Sequence, residues 1–299
     1  MTNIAKLVVI LGPTASGKSA MALELAQKFN GEIVCADSRT IYKGMDIGTA
    51  KPSIQEQQLV RHHLIDIVEP DRPFSAAQFK QAAQDAIAEI QSRGKLPFLV
   101  GGSGMYIDSV IYDYGFRDEV SDEEKTLIEN MSLQQLQSLA QQKFPAEFLK
   151  IDTKNRRRVE QLICKGPTKD NDRKSSIVDS LVLGLDIEKL LLRQNIEQRT
   201  ESMLSNSFIQ EVEGLRQKYG DSDALVRTTG YAQVIEYLDG YIEKSELSDD
   251  IVTATWQLSR KQMTWFRRNK SIQWIISIYQ ASAMISDYLE DLRPPALIQ

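Results

Sequence analysis

The chain has 299 residues, of which 42% are hydrophobic and 26% are charged, and its formal net charge is −5. This composition is typical of a globular protein with one large domain, or with one domain that carries a sizeable insertion. No apolar run reaches the roughly 20 residues of a membrane span, and two cysteines are too few for a disulfide framework or a zinc cluster, so the sequence predicts a cytoplasmic protein without a membrane segment.

Strand and helix signals alternate from residue 6 onward, with short links between them. The run KLVVILG (6–12) has the β-branched, continuously apolar character of a parallel strand that is buried on both faces. Helical spacing follows in SAMALELAQKF, and a longer helix is predicted over 73–95, where Ser75 and Gln78 can form a capping box. Further strands are predicted in GEIVCADS (31–38), HHLIDIV (62–68) and LPFLVG (96–101).

The character of the sequence changes between residues 117 and 177, where Gln, Glu and Lys are frequent, the spacing is helical and no good strand signal occurs. SLVLGLDI (180–187) is again a predicted strand, and the remainder, including 193–219, is predicted to be helical. Alternating strands and helices predict a parallel sheet covered by helices. The predicted fold is therefore α/β, with a P-loop NTPase-like core at 1–116 and 178–299 and a helical insertion domain at 117–177.

The strongest motif is GPTASGKS, which matches the phosphate-loop pattern G-x-x-x-x-G-K-[ST] between a strand and a helix. Its glycines let backbone N–H groups turn toward phosphate oxygens, and the helix N-terminus adds its dipole. Lys18 supplies a positive charge, and Ser19 can bind Mg²⁺. The predicted phosphate-binding residues are Gly12, Pro13, Thr14, Ala15, Ser16, Gly17, Lys18 and Ser19.

The usual companions of a nucleotide-binding phosphate loop are weak. The sequence contains no N-K-x-D motif of a GTPase. Asp37 ends the predicted strand IVCADS, whereas FLVGGSG ends in glycine. A carboxylate beside a phosphate site can orient water on a metal ion or act as a general base, and the spacing alone leaves both roles open.

At ADSRTIYKGMDIGTAKP and LVGGSGMYI, read with GPTASGKS, HHLIDIVEP, FSAAQF, RTTGYAQVIEYLDG and RKQMTWFRR, the chain resembles the bacterial tRNA dimethylallyltransferases. The resemblance implies transfer of a dimethylallyl group from its diphosphate to the N6 amine of the adenosine immediately 3′ of the anticodon, in tRNAs that read codons beginning with U. The expected cofactor is Mg²⁺, the expected partners are dimethylallyl diphosphate and the anticodon stem-loop of tRNA, and the expected state is a monomer.

The resemblance also assigns the residues of the chemistry. Asp37 takes the place of the general base, Ser103 that of the hydroxyl on the bridging oxygen, and Arg227 that of a diphosphate-binding arginine; Lys18 completes the predicted catalytic set. Breaking the allylic C–O bond leaves negative charge on the bridging oxygen, which donors already in place stabilise. The amine becomes acidic as its new bond forms, so a carboxylate can accept the proton late in the step.

On the RNA side, the target adenine must leave the stack of the anticodon loop to reach the donor. The resemblance implies these tRNA-binding residues: Asp37, Ser38, Arg39, Thr40, Ser103, Lys125, Arg157, Arg158, Val159, Glu160 and Gln161. Basic stretches at 154–174 and 251–275 stand out on an acidic chain. The first is expected to grip the anticodon stem, although both can also be solvated helix faces.

Two other functions remain open from the sequence. A small-molecule kinase would hold ATP in the loop and use the insertion as a lid, and it would leave the basic stretches unexplained. A P-loop nucleotide switch that binds RNA without chemistry would need a base-reading motif, which the sequence lacks. The adjacent His62 and His63, together with Trp256, Trp265 and Phe266, are predicted to have structural rather than functional roles.

Overall fold

A computed structural model describes residues 6–112, 122–165 and 179–290. They form two compact units: a core unit (6–112 and 179–290) and a helical unit (122–165). The domain boundaries predicted at 116/117 and 177/178 lie outside the described residues, so they stay predictions. Within the described ranges, no helix is long and apolar enough to cross a membrane.

The core unit is built on a parallel sheet, as predicted. Its strands within the described residues are β1 (Lys6–Leu11), β2 (Gly31–Ala36), β3 (His62–His63), β4 (Leu96–Gly101), β5 (Asp179–Leu185) and β6 (Gln273–Ile275). They pair in the order β3-β2-β4-β1-β5-β6, and every pairing is parallel. Every residue of β1 after Lys6 is buried, which explains why this strand is a continuous apolar run.

Helices make up most of the rest of the core unit, some on the sheet and others in a second cluster beside residues 41–45. They are α1 (Lys18–Lys28), α2 (Ile54–Leu59), α3 (Ala76–Ser92), α4 (Gly104–Ile111), α9 (Lys189–Ser205), α10 (Phe208–Tyr219), α11 (Asp223–Val226), α12 (Tyr231–Leu238), α13 (Lys244–Phe266) and α14 (Ile278–Glu290). Residues of α1 and α14 share one core cluster with alternate residues of the strands. The predicted capping box of α3 is confirmed, because Ser75 Oγ accepts a hydrogen bond from Gln78 N and Gln78 Oε1 accepts one from Ser75 N.

The sequence-based assignment of elements is wrong at several places. The predicted strand 62–68 ends after His63, because Leu64 and Asp66 adopt positive φ angles of 64° and 55°, which an extended strand does not accommodate. The predicted helical stretch 193–219 is interrupted between α9 and α10, where Ser207 has φ 66°. The short elements α2 and β6 are absent from the prediction, although β6 pairs with β5.

The helical unit contains α5 (Asp122–Asn130), α6 (Leu133–Lys143), α7 (Pro145–Phe148) and α8 (Arg156–Lys165). Its own core is formed by Ile128, Leu136, Ala140, Val159, Leu162 and Ile163. Helix α8 is therefore amphipathic: it buries the apolar residues at 159, 162 and 163 and exposes Arg157, Arg158 and Gln161.

Candidate active site

Three loops that follow parallel strands supply the predicted site. The phosphate loop connects β1 to α1, Asp37 follows β2, and Ser103 follows β4. These strands are neighbours in the sheet, and the carboxyl ends of parallel strands lie at one edge, where ligands of open α/β sheets bind. The topology therefore brings residues far apart in sequence to the same place.

The phosphate loop has the backbone geometry of an anion cradle. Ala15 and Gly17 adopt positive φ angles of 61° and 84°, and such alternation turns successive N–H groups inward. Helix α1 begins at Lys18, so its N-terminal N–H groups also face this loop. Ser16 Oγ is buried, and no residue that the structure describes gives it a hydrogen-bond partner. A buried hydroxyl of this kind suits an oxygen-rich ligand.

Two side chains from distant helices hold this loop in shape. The Thr14 N–H donates to Gln262 Oε1 (2.8 Å), and Gln262 Nε2 donates to the carbonyl oxygen of Gly102 (3.1 Å). Asn195 Nδ2 donates to the carbonyl oxygen of Ala15 (3.0 Å). Gln262 therefore ties the loop after β1 to the turn after β4. Neither Gln262 nor Asn195 is among the predicted site residues.

The turn after β4 is glycine-rich because α13 lies directly against it. A Cβ on Gly102 would lie 2.5 Å from Gln262 Nε2, and one on Gly104 would lie 2.2 Å from Trp265 Cδ1. Trp265 Nε1 donates to Asp108 Oδ2 (2.8 Å). Trp265 is thus engaged in packing and hydrogen bonding within the core unit, in line with its predicted structural role.

Asp37 and Ser103 lie just beyond the ends of two neighbouring strands, and hydrogen bonds link these two segments. Ser38 N donates to Ser103 Oγ (3.0 Å), and Arg39 N donates to Asp37 Oδ1 (2.8 Å). The backbone of Arg39 therefore orients the Asp37 carboxylate through one oxygen. Within the described part of the chain, the second oxygen of Asp37 has no protein hydrogen bond, so it is available to a substrate.

Positive charge accumulates around the same carboxylate. Lys18 Nζ donates to the carbonyl oxygen of Pro13 (3.2 Å). Burial lowers the pKa of Lys18 to about 8; the nearby Asp37 opposes this effect and Arg199 adds to it. Arg199, a residue of α9, is absent from the predicted site, and its pKa is also lowered by burial.

The predicted residues converge on two adjoining clefts. The main cleft combines polar and charged residues with an apolar wall; those that matter here are Thr14, Lys18, Asp37, Ser103, Arg199, Arg227, Ile196, Met203, Ile251 and Leu258. The loop cleft is lined by 14–20 together with Asp37, Thr40 and Arg199, among others. Asp37, Lys18 and Arg199 therefore face both clefts.

Arg39 and Arg227 lie at the main cleft and contact each other through the backbone. Arg39 Nη2 donates to the carbonyl oxygen of Arg227 (3.5 Å), and the exposed Arg227 side chain pairs with Asp223 Oδ2 (3.2 Å). Of the other predicted residues, Ser38 also lines the main cleft, whereas Gly12 and Pro13 are buried. Thr40 is buried in the loop cleft, and the structure gives its Oγ1 no partner within the described residues.

A loop that borders both clefts is held by Glu211 of α10. The Glu211 carboxylate accepts hydrogen bonds from the backbone N–H groups of Asp46 (3.1 Å), Ile47 (2.8 Å) and Gly48 (3.2 Å), and from Tyr231 Oη (2.5 Å). Gly48 and the adjacent Thr49 line the main cleft. Glu211 therefore shapes the wall of the site without being part of any predicted motif.

The predicted tRNA-binding residues of the helical unit differ in their accessibility. Arg157, Arg158 and Gln161 are exposed on α8, whereas Glu160 is half-buried and pairs with Arg156 Nε (2.7 Å). The side chain of Val159 is fully buried in the core of this unit, and its predicted contact with tRNA stays a prediction. The side chain of Lys125 lies outside the described residues.

The two histidines are engaged in local hydrogen bonds. His62 Nδ1 lies 2.7 Å from the carbonyl oxygen of Val60, and His63 Nε2 lies 2.7 Å from Glu32 Oε2. Elsewhere in the core unit, Phe266 is buried and Trp256 packs against a cluster that includes Leu192 and Ile196.

The donor set suits a metal ion that a phosphate group brings with it. Among the described residues, no group of three or more His, Cys, Asp or Glu side chains could hold a metal ion. Ser19 and Asp37 both line the loop cleft. Mg²⁺ at phosphate sites commonly binds through one or two protein ligands together with substrate oxygens and water, and the Ser19 hydroxyl and Asp37 carboxylate fit that arrangement.

Comparison with known proteins identifies the family. Residues 40–269 match the family model described as IPP transferase. The chain is 38% identical over 281 residues to the tRNA dimethylallyltransferase of Syntrophomonas wolfei, covering 90% of this chain and 91% of that protein. It is also similar to the crystal structure of the full-length tRNA isopentenylpyrophosphate transferase of Bacillus halodurans, with a TM-score of 0.74, 32% identity and coverage of 96% and 97%.

A eukaryotic dimethylallyltransferase acting on tRNA has the same fold, with a TM-score of 0.81 and 22% identity, over 98% of this chain and 81% of that one. The parallel sheet, the phosphate loop at its carboxyl edge and these similarities agree with one another. The chain therefore belongs to the IPP transferase family.

Proposed function

We propose that the protein transfers the dimethylallyl group from dimethylallyl diphosphate to the N6 amine of the adenosine 3′-adjacent to the anticodon, in tRNAs that read codons beginning with U, and so forms N6-(dimethylallyl)adenosine. The observation that carries this proposal is the main cleft, where a cationic phosphate loop, a carboxylate and an apolar wall meet. Family membership supports it and disfavours the kinase alternative.

The donor fits the two adjoining clefts, with the diphosphate in the loop cleft and the isoprenoid in the main cleft. Its diphosphate would bind the N–H groups of the phosphate loop, the Lys18 ammonium and the hydroxyls of Ser16 and Ser19. Arg227, which lines the main cleft, would donate to the diphosphate with its planar guanidinium. The isoprenoid would lie against the apolar residues Ile196, Met203, Ile251 and Leu258. A small kinase substrate with several hydroxyls would make few contacts with these apolar side chains.

The chemistry then follows from the placement of three side chains. The N6 lone pair attacks the allylic carbon, and the electron pair of the broken C–O bond moves to the bridging oxygen. Ser103 donates a hydrogen bond to that oxygen, and Lys18 stabilises its growing negative charge. The N6 proton passes to the Asp37 oxygen that Arg39 leaves free.

Mg²⁺, held by Ser19 and Asp37 together with the diphosphate, would neutralise part of the negative charge on the leaving group. Asp37 would then both help to hold the cation and accept the N6 proton. Removal of divalent cations with a chelator should therefore abolish transfer.

The target adenosine would enter beside Asp37, Ser38, Arg39 and Thr40, and the helical unit would grip the anticodon stem through α8. An unstacked loop base costs less to extrude than a paired one, which suits an anticodon loop. We further propose that the protein acts as a monomer in the cytoplasm, where both substrates occur.

The direct test combines the purified protein with Mg²⁺, labelled dimethylallyl diphosphate and unmodified tRNA. We expect label to appear in tRNA, and nuclease digestion should locate it on a single adenosine. A parallel reaction with ATP and no prenyl donor should show no phosphoryl transfer. Absence of label in tRNA, or turnover of ATP with a small acceptor, would contradict the proposed activity.

Replacing both Arg157 and Arg158 with alanine should weaken tRNA binding and flatten its salt dependence. These side chains are exposed on α8, and each lysine or arginine on a phosphate contributes about one unit to the slope of log K against log salt. Binding measured across a salt series should therefore lose about two units of slope.

The matched control for this double variant is the replacement of Lys143 and Lys150, which are exposed in the same unit, by alanine. It removes the same charge and should keep the wild-type slope. An unchanged slope in the arginine variant would show that these residues do not contact phosphates, and an equal loss in both variants would indicate only a general effect of charge.

A further inference from the structure

One face of α9 lies against the phosphate loop. Arg199 Nη1 donates to Thr14 Oγ1 (3.1 Å), and Asn195 Nδ2 donates to the carbonyl oxygen of Ala15 (3.0 Å). The two side chains are four residues apart, so they project from the same face of the helix. The strained Ala15 (φ 61°) and the adjacent Thr14 are thus both held from one helix.

The guanidinium of Arg199 can donate more hydrogen bonds than it makes within the described residues. It carries five N–H groups, and within the described residues Thr14 is its only hydrogen-bond partner and no carboxylate forms an ion pair with it. Arg199 lines both the main cleft and the loop cleft. The remaining N–H groups are therefore available where the two clefts share the phosphate loop.

The local balance of charge favours an anion at this place. Lys18 and Arg199 each interact electrostatically with Asp37, the acid that stabilises both cations. Two positive charges thus face one carboxylate, and both cations line the two clefts. An enclosed charge without a full partner is costly, and a polyanionic ligand would remove that cost.

We propose that Arg199 is a further diphosphate-binding residue, which contacts the phosphate oxygens directly and stabilises the charge that the leaving group gains. When the allylic C–O bond breaks, its electron pair goes to the bridging oxygen while the N6 lone pair forms the new bond to carbon. A planar guanidinium can donate two parallel hydrogen bonds to such an oxygen array. The role in transfer rests on the proposed function, whereas the binding of diphosphate does not.

Binding of inorganic pyrophosphate by calorimetry, with Mg²⁺ present, tests the contact without catalysis. Arg199→Gln should weaken this binding at least about tenfold, since a charged hydrogen bond is lost, and Arg199→Lys should recover part of the affinity. In single-turnover transfer, Arg199→Gln should be about 100-fold slower, the scale of one lost donor to a developing oxyanion. Thermal unfolding confirms that each variant is folded.

Two variants separate direct contact from support of the loop. Arg193→Gln changes a half-buried arginine of the same helix, which pairs with Glu197 (2.8 Å) and lines neither cleft, and it should leave pyrophosphate affinity unchanged. Thr14→Val removes the hydroxyl that Arg199 bonds but keeps the Thr14 backbone. If Arg199 acts only through Thr14, then Thr14→Val will lower the affinity as much as Arg199→Gln does, and the proposal is wrong.

The same experiments distinguish a failure of the proposed prenyl transfer from a failure of the proposed role of Arg199. A wild-type protein that binds pyrophosphate in an Arg199-dependent manner but labels no tRNA would contradict the proposed function and support the role of Arg199 as an anion-binding residue. A wild-type protein that prenylates tRNA while Arg199→Gln keeps full pyrophosphate affinity would support the function and overturn the inference about Arg199.

Discussion

Replacement of Asp37 by asparagine is expected to lower the rate of prenyl transfer by roughly 10²- to 10⁴-fold, the usual contribution of a general base. Asparagine has nearly the same shape and can still accept the hydrogen bond from Arg39 N (2.8 Å in the wild type). It cannot take up the N6 proton at neutral pH. The loss should therefore appear in single-turnover transfer of labelled dimethylallyl groups, while tRNA and donor affinities stay close to wild type.

The matched control is Asp85→Asn, which changes an exposed acid of α3 and should leave the rate unchanged. A magnesium series separates the two roles of Asp37. If the carboxylate serves mainly to hold Mg²⁺, a higher Mg²⁺ concentration will restore transfer in Asp37→Asn, and the assignment as a base will be wrong. If it accepts the proton, added Mg²⁺ will not restore the rate.

Glu211→Ala should cost about 2–4 kcal/mol of unfolding free energy, because it leaves several donors without an acceptor. The Glu211 carboxylate accepts hydrogen bonds from three consecutive backbone N–H groups and from the buried Tyr231. The loop at Asp46–Gly48 cannot easily move to compensate, since a Cβ on Gly48 would already lie 2.3 Å from Phe208. Urea unfolding of the purified variant measures the change in unfolding free energy.

Glu213→Ala is the matched control for this prediction, because Glu213 is an exposed glutamate on the same helix. Surface replacements away from such contacts usually change stability by about 0.5 kcal/mol or less. Transfer should also fall in Glu211→Ala, as Gly48 and Thr49 border the main cleft. Equal stability of the two variants would show that the loop keeps its conformation without the carboxylate.

The parallel sheet and the phosphate loop could be predicted because their signals are local. A β-branched run followed by G-x-x-x-x-G-K-[ST] specifies strand, loop and helix within a few residues. The family and the class of enzyme, predicted from motifs spread along the chain, are confirmed by the relatives. The roles of Asp37, Ser103 and Arg227 remain predictions, although these residues do meet in one cleft.

The residues that sequence reasoning missed act over long distances along the chain. Arg199 and Gln262 contact Thr14 across 185 and 248 positions, and no local pattern reveals such a pairing. The end of β3 at His63 could not be predicted either. Leucine disfavours a positive φ angle, so the conformation of Leu64 is imposed by its surroundings in the fold. By contrast, the burial of Val159 was readable from the apolar spacing at 159, 162 and 163.

The contact between α13 and the turn after β4 limits which substitutions can be accepted during evolution. Gly102 faces Gln262, and Gly104 faces Trp265, so a methyl group at either glycine would require the facing side chain to shift. A larger residue at either glycine is therefore tolerated only when the residue opposite becomes smaller or moves. Across descendants of this chain, these four positions should evolve as two linked couples rather than as four independent sites.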